Sequence, residues 1–321
     1  MWPFRRRAGQ DESGPAVDPA MGDPAARALC AALRDRDWRT ARDVLVTVTD
    51  PDDLAFFMYA AGRVPGVQEW IGEWAEAEPR STLPLLVRGT HAVHWAWEAR
   101  GSASASRTRE EQFREFHRRL TFAENLLDEV ASRDPDDTTG RAFLVTSARG
   151  RQVDREEAAR RFAAVVDRHP WHRLAHAQML QYRCAKWFGS DEEMFDFARS
   201  AAAKAPAASG LAHLVASAHL EIWLKLRSGE DDRYLQQADV RAELRAAADQ
   251  SVRHPQHGRY AGWPTPHNTF AMAFARSGDH AAAAEQFGVI GDQVTELPWA
   301  YSGNPVRAFR KWQRKVTESR G

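Results

Sequence analysis

The sequence has no long apolar run. Nowhere in its 321 residues does an apolar stretch approach the roughly 20 residues that a helix needs to span a bilayer. The basic cluster of Arg5, Arg6 and Arg7 is not followed by an apolar segment, which argues against a secretory signal peptide. We therefore expect no integral membrane segment.

Cysteine is scarce, and neither sign of charge is in excess. Cys30 and Cys184 both fall within apolar, helix-like segments. We therefore expect buried thiols in a reducing compartment, the cytoplasm, rather than a disulfide framework. The 44 basic and 44 acidic residues cancel, whereas a dedicated nucleic-acid-binding protein usually has a basic excess. This balance predicts no nucleic-acid partner.

Strand-like alternation is almost absent. The segment "VLVTVT" at residues 44–49 is the one tempting strand, and it continues an apolar helical face that contains Trp38, Ala41 and Leu45. The sequence therefore predicts an all-α fold.

Proline and glycine divide the chain at regular intervals. Proline cannot continue a helix, and glycine ends one at low cost in the left-handed conformation. Each unit is therefore predicted to run helix A, glycine, helix B, proline. This predicts an α-solenoid of about seven hairpins over residues 23–321, with a last helix near 305–317 and a disordered tail at 1–22. The dividing residues are Pro51, Pro79, Pro135, Pro170, Pro206, Pro255 and Pro298, with Gly62, Gly101, Gly150, Gly189, Gly229 and Gly278 between them.

Three predicted B helices share the spacing D-x3-A-x3-[LF]. They begin at Asp37, Asp154 and Asp279. An acid at the start suits the positive end of the helix dipole, the alanine lets helix A approach closely, and the large apolar residue fills the next layer.

The segment "DREEAARRFAAVVDRHP" at residues 154–170 resembles helix B of a tetratricopeptide repeat. Ala158, Phe162 and Pro170 stand at that family's alanine, aromatic and proline spacings. Residues 268–287, "NTFAMAFARSGDHAAAAEQF", look similar, and "RGTHAVHWAWEARG" and "KWFGSDEEMFDFAR" look like an uncharacterised bacterial group of such proteins. The repeats are degenerate, because the family's Trp and Gly-Tyr positions in helix A are mostly missing. The resemblance implies stacked hairpins whose A helices line a concave groove.

The acidic run Asp191-Glu192-Glu193 is predicted to start a helix rather than to form a site. Ser190 is its expected N-cap, and Glu193 stands at the capping-box spacing. Paired acids that follow a proline or glycine, such as Asp52 and Asp53, are likewise interpreted as helix starts and solvated turns.

The resemblance makes the polar and aromatic residues of the A helices the groove candidates. We expect a non-catalytic scaffold that binds a protein or peptide without a cofactor, with Trp and His providing contact area and Arg100, Lys186 and further arginines meeting acidic groups. The candidates are Arg88, His91, Trp95, Glu98, His172, His176, Arg183, His213 and Asn268.

Four alternatives remain open. His91, His94 and Glu98 at i, i+3 and i+7, or His172 and His176 at i, i+4, have spacings that can hold zinc. An enzyme or small-molecule pocket would use His91, Glu98 and His213 for acid–base work. A purely structural subunit would need no groove ligand. Arg5, Arg6 and Arg7 beside Trp2 and Phe4 are suited to a weak contact with an acidic membrane surface.

Overall fold

The computed structural model describes residues 17–101 and 109–319. Within these ranges the regular structure consists of sixteen α-helices and one 3₁₀ turn, with no strand, which confirms the all-α fold class. Residues 1–16 of the predicted tail, including Arg5, Arg6 and Arg7, lie outside the described residues. The last six residues of the predicted tail, 17–22, are described. They contain a turn in which the Met21 N–H donates to the Asp18 carbonyl at 2.9 Å, and Ala20 is buried.

The chain divides into two compact units. The first contains Gly22–Met179, and the second contains Leu180–Gly321 together with the described residues before Gly22. Helix α9 (Arg173–Tyr182) crosses the division. The helices of the first unit are α1 (Pro24–Arg34), α2 (Trp38–Leu45), α3 (Pro51–Ala61), α4 (Val67–Ala77), α5 (Leu83–Arg100), α6 (Glu110–Arg133), α7 (Thr139–Arg151) and α8 (Arg155–Val166).

Neighbouring helices pair in the first unit, and alternate helices also touch. Helix α1 packs on α2, α5 on α6, and α7 on α8. The odd-numbered helices contact one another in succession, α1 with α3, α3 with α5 and α5 with α7, and α3 also contacts α7. Helices α4 and α6 also pack on the helices that follow them, α5 and α7.

The second unit repeats this pattern with one insertion. Its helices are α10 (Asp191–Lys204), α11 (His213–Lys225), α12 (Asp231–Leu235), α13 (Ala238–Gln250), α14 (Pro264–Ser277), α15 (His280–Ile290) and α16 (Pro305–Glu318), with the 3₁₀ turn at Trp299–Ser302. Helix α11 packs on α10, α13 and α14, while α14 packs on α15 and α16. The short α12 lies between α11 and α13 in the chain and contacts both, as well as α14.

The helix starts follow the sequence prediction. Asp37, Asp154 and Asp279 are the N-caps of α2, α8 and α15, and each side chain accepts a backbone N–H three residues on. Ser190 caps α10 in the same way, with the Glu193 N–H donating to its Oγ at 3.1 Å. The run at residues 191–193 is therefore the first turn of a helix.

The predicted helix ends are only partly correct. Gly278 ends α14 in the left-handed conformation (φ 77°), as expected for glycine. The prediction that Gly150 ends a helix is wrong, because α7 continues to Arg151 and closes on left-handed Gln152 (φ 54°). Gly150 instead permits close packing: a Cβ there would lie 2.5 Å from Leu120 Cδ1 on α6.

The core runs through helices that are buried on nearly every side. In α7 all but two residues are buried, and in α14 all but two are buried. A helix buried all round lies inside the packing rather than along its edge. Helix α7 therefore lies in the core of the first unit, and α14 lies in the core of the second.

Candidate functional site

The first unit contains a buried carboxylate surrounded by basic groups. Asp52, at the start of α3, is 8 % exposed. Its Oδ1 accepts the Arg173 backbone N–H at 2.6 Å, and His169 Nε2 lies 3.1 Å from its Oδ2. His172 Nδ1 lies 3.5 Å from Oδ1. Asp52 lies at a helix start, as predicted, but the prediction that it is solvated is wrong. Its buried carboxylate joins the start of α3 to the start of α9.

Two of the groove candidates belong to this interior. His172 is fully buried, and His176 is 5 % exposed. His176 Nδ1 is 2.9 Å from the His172 carbonyl, and its ring packs edge-on against Phe162 at 5.0 Å. Burial lowers the pKa of His172 to about 4 and also lowers the pKa of His176. Both rings are therefore neutral parts of the core at neutral pH.

His91 is likewise an interior group. It is 3 % exposed, and its Nε2 lies 2.8 Å from Gln68 Oε1 on α4. Burial is the largest cause that lowers its pKa to about 4, and the neighbouring His94 contributes. His91 thus joins α5 to α4 as a neutral ring.

The candidates in the second unit also bond to their own surroundings. Asn268 is fully buried; its amide donates to the Pro264 and Gln293 carbonyls, and its Oδ1 accepts the Trp299 indole N–H at 2.7 Å. His213 Nδ1 lies 2.8 Å from the Gly210 carbonyl. Asn268 therefore acts as an internal clamp between α14 and the segment that follows α15.

The two cationic candidates of the second unit differ in their partners. Arg183 lies over the Phe197 ring at 4.9 Å. Lys186 pairs with Glu221 at 2.6 Å, and Glu221 is buried at 6 % exposure. Although burial raises the Glu221 pKa, Lys186 and Gln181 outweigh it, so the pKa is lowered. Lys186 is thus engaged by this chain's own carboxylate.

A second polar network in the first unit has a buried glutamate at its centre. Glu124 Oε1 accepts from Ser147 Oγ at 2.6 Å and from Arg161 Nη1 at 2.7 Å, and Arg151 Nε donates to Oε2 at 3.0 Å. The three donors come from α7 and α8. The network therefore fixes α6 against the next pair of helices.

One arrangement resembling a catalytic relay was not foreseen from the sequence. His219 Nδ1 is 2.7 Å from the Tyr234 hydroxyl, and its Nε2 is 3.0 Å from Glu243 Oε2. Burial raises the Tyr234 pKa, which opposes formation of a phenolate nucleophile. Arg199 lowers the Glu243 pKa and binds both carboxylate oxygens. The arrangement joins α10, α11, α12 and α13 as a structural network.

Two candidates of α5, Trp95 and Glu98, are at least partly exposed and lie beside α6. Trp95 is partly exposed, and the Arg119 guanidinium lies 3.6 Å from its ring centroid while donating to its carbonyl at 2.9 Å. Glu98, 47 % exposed, lies 3.6 Å from His94 Nε2. We call His94, Trp95, Glu98, Glu115 and Arg119 the Trp95 face.

Ion pairs with Glu115 hold the arginines at the Trp95 face in place. Glu115 Oε1 accepts from Arg119 Nε at 2.6 Å and from Arg118 Nη2 at 2.7 Å. These arginines, Arg118 foremost, lower the Glu115 pKa to about 2. Arg88 lies further along α5, over the Phe122 ring at 5.1 Å. No pattern in the sequence points to Arg119, because its position 24 residues after Trp95 follows no helical repeat.

Each of the three acid–base candidates has a partner within its own unit. His91 points to Gln68, Glu98 lies beside His94, and both belong to the first unit, whereas His213 opens α11 of the second. Across residues 17–101 and 109–319, no group of three or more His, Cys, Asp or Glu side chains has the geometry to hold a metal ion.

No protein-family model and no curated protein matched this chain when compared with it. In the part of the chain that the structure describes, no helix combines the length and apolar character needed to cross a bilayer.

Proposed function

We propose that the chain is a non-catalytic protein- or peptide-binding scaffold built as a tetratricopeptide-like α-solenoid. Within each unit, alternate helices contact one another in succession, as the first helices of stacked hairpins do. Repeats of this kind bury surface only against their neighbours and leave an extended surface for recognition.

The Trp95 face is the contact site in this proposal. Buried candidates such as His172 and Asn268 are inside the packing and offer a partner little surface. The observation that carries the assignment is the partly exposed Trp95 ring with Arg119 at 3.6 Å. Tryptophan and arginine are the side chains most enriched among residues that dominate protein interfaces, and the exposed Glu98 adds a polar rim.

Site-specific photo-crosslinking in the native host tests this proposal. A benzophenone amino acid replaces Glu98 on the Trp95 face, and in a control chain it replaces Glu76, which is exposed on α4. We expect protein adducts of defined mass from position 98 and none from position 76. Adducts from both positions, or from neither, would contradict the proposal.

Truncation of the central ring gives the quantitative test. Trp95→Ala should weaken binding to the crosslinked partner by about 30-fold or more, the loss typical of a dominant interface residue. The matched control is Trp263→Ala, because Trp263 is also partly exposed with an arginine, Arg259, 4.4 Å from its ring centroid. Equal losses in both variants, with circular dichroism unchanged, would remove the assignment to the Trp95 face.

A further inference from the structure

The last helix, α16, has a strongly basic exposed side. Five of its fourteen residues are exposed arginines or lysines. No ion pair between described residues involves any of the five side chains. The one acid of the helix is Glu318, at its end. We call these residues the α16 basic face: Arg307, Arg310, Lys311, Arg314 and Lys315.

The spacing places these cations on one side of the helix. At 3.6 residues per turn, the five positions fall within an arc of about 140°, and successive residues four apart are about 6 Å apart along the axis. The opposite side of the helix is packed inside the second unit, where Phe309, Trp312 and Val316 are at most 7 % exposed. The α16 basic face is thus a continuous cationic strip on a helix anchored from behind.

Helix stability does not explain this arrangement. Cations favour the last turn of a helix, where the dipole is negative, and disfavour the first. Arg307 is the third residue of α16, whose first turn has no acid. By contrast, α8 and α10 both have acids in their first turns. Arg307 therefore lies at the positive end of the helix dipole, where a cation is unfavourable. None of the five cations pairs with a carboxylate among the described residues.

We propose that the α16 basic face docks on an anionic lipid bilayer. Each Lys or Arg held near such a surface strengthens binding by a factor of about five, so five of them give measurable attraction. Because the apolar side of α16 is buried, no side chain of that face inserts into the hydrocarbon. The attachment is peripheral, reversible and sensitive to salt.

Two other polyanionic partners fit the surface less well. Single-stranded nucleic acid is bound by cations combined with aromatic rings on which bases stack, and both aromatic rings of α16, Phe309 and Trp312, are buried. An acidic peptide would meet the strip through exposed ion pairs, each of which contributes little. A flat, densely charged bilayer engages the whole strip at once.

Vesicle flotation with the full chain tests the proposal. We expect the chain to float with phosphatidylcholine vesicles containing about 30 % phosphatidylserine, not with phosphatidylcholine alone, and to be released at about 0.5 M salt. Binding that is absent, or equal for the two vesicle types, would overturn the proposal.

A pair of double variants assigns the binding to α16. Arg310→Gln with Arg314→Gln should weaken binding to the phosphatidylserine vesicles about 25-fold, a factor of about five per charge. Arg34→Gln with Arg80→Gln removes two exposed arginines of the first unit and should leave binding within about twofold. Equal losses in both pairs overturn the assignment. So does tighter binding of labelled oligodeoxythymidylate or a polyglutamate peptide through Arg310 and Arg314.

Discussion

Asp52 and Asp53 are adjacent and chemically identical, yet they differ in environment. Both lie in the first turn of α3, where either carboxylate favours the helix dipole. The Asp52 side chain is 7 % exposed and accepts a backbone N–H from α9, whereas the Asp53 side chain is 33 % exposed and pairs with Arg173 Nη2 at 3.2 Å. At the scale of the residue, burial decides which carboxylate holds the fold together.

The two positions form a matched test of stability. Asp52→Ala should lower the free energy of unfolding by about 2–3 kcal/mol, because it removes a buried acceptor from the Arg173 N–H and from the partly exposed His169. Asp53→Ala should cost about 1 kcal/mol or less, as for a partly exposed ion pair. Urea denaturation followed by circular dichroism measures both. Equal losses of unfolding free energy in the two variants would contradict the prediction. They would show that each carboxylate stabilises α3 only through its charge in the first turn.

How far the sequence predicts a residue's role depends on how local that role is. The cap at Ser190 was predicted correctly, because the acceptor and its donor are three residues apart. The partners of His219 lie 15 and 24 residues away, and those of Asp52 more than a hundred. No spacing rule reaches that far, so His91, His172 and His176, which were expected in a groove, are buried.

Helix α6, the longest of the described helices, packs against glycines on two neighbouring helices, α5 and α7. A Cβ at Gly89 of α5 would lie 2.8 Å from Leu127 Cδ2, and one at Gly150 of α7 would lie 2.5 Å from Leu120 Cδ1. Both leucines are fully buried on α6. At the scale of the element, these glycines set how closely α5 and α7 approach α6.

Alanine at two helical glycines should therefore act in opposite directions. Gly150→Ala should destabilise the chain by about 1–3 kcal/mol through overpacking against Leu120 and Phe116. Gly288→Ala, in an exposed part of α15 with no atom near the added Cβ, should stabilise it by about 0.5–1 kcal/mol. Thermal unfolding of the two variants checks the signs. Stabilisation by Gly150→Ala would mean that α6 moves aside freely.

The sequence predicted the elements better than their ends. Helix starts carry a signal in one side chain, which is why Asp37, Asp154 and Asp279 were placed correctly. At the end of α7, a non-glycine residue, Gln152, takes the left-handed conformation, and the nearby glycine serves packing instead. Residue type alone does not distinguish these two uses of glycine.

Across the whole molecule, neutral histidines are buried in both units. Burial lowers the pKa of His91 and His172 in the first unit and of His267 in the second to about 4, against an ordinary 6.5. Between these values the unfolded chain binds protons that the folded chain does not. Their contribution to stability is therefore complete above pH 6.5 and is lost as the pH falls towards 4.

Acid should consequently unfold the chain well above the usual carboxyl range. By pH 5, each of these histidines should have cost roughly 2 kcal/mol of unfolding free energy. Urea midpoints between pH 7 and pH 5 measure the slope. His91→Gln removes one titrating ring and should flatten it, even if the variant is less stable at pH 7. An unchanged slope in that variant would show that His91 is not protonated on unfolding.

Asp279 serves two neighbours at once. It caps α15 by accepting the Ala282 N–H, and its other oxygen accepts from Arg245 Nε at 2.6 Å, on α13, the helix before α14. If the chain were divided between α13 and α14, Asp279 would lie in one fragment and Arg245 in the other. A segment of this chain that keeps both contacts of Asp279 therefore has to include α13, all of α14 and the start of α15.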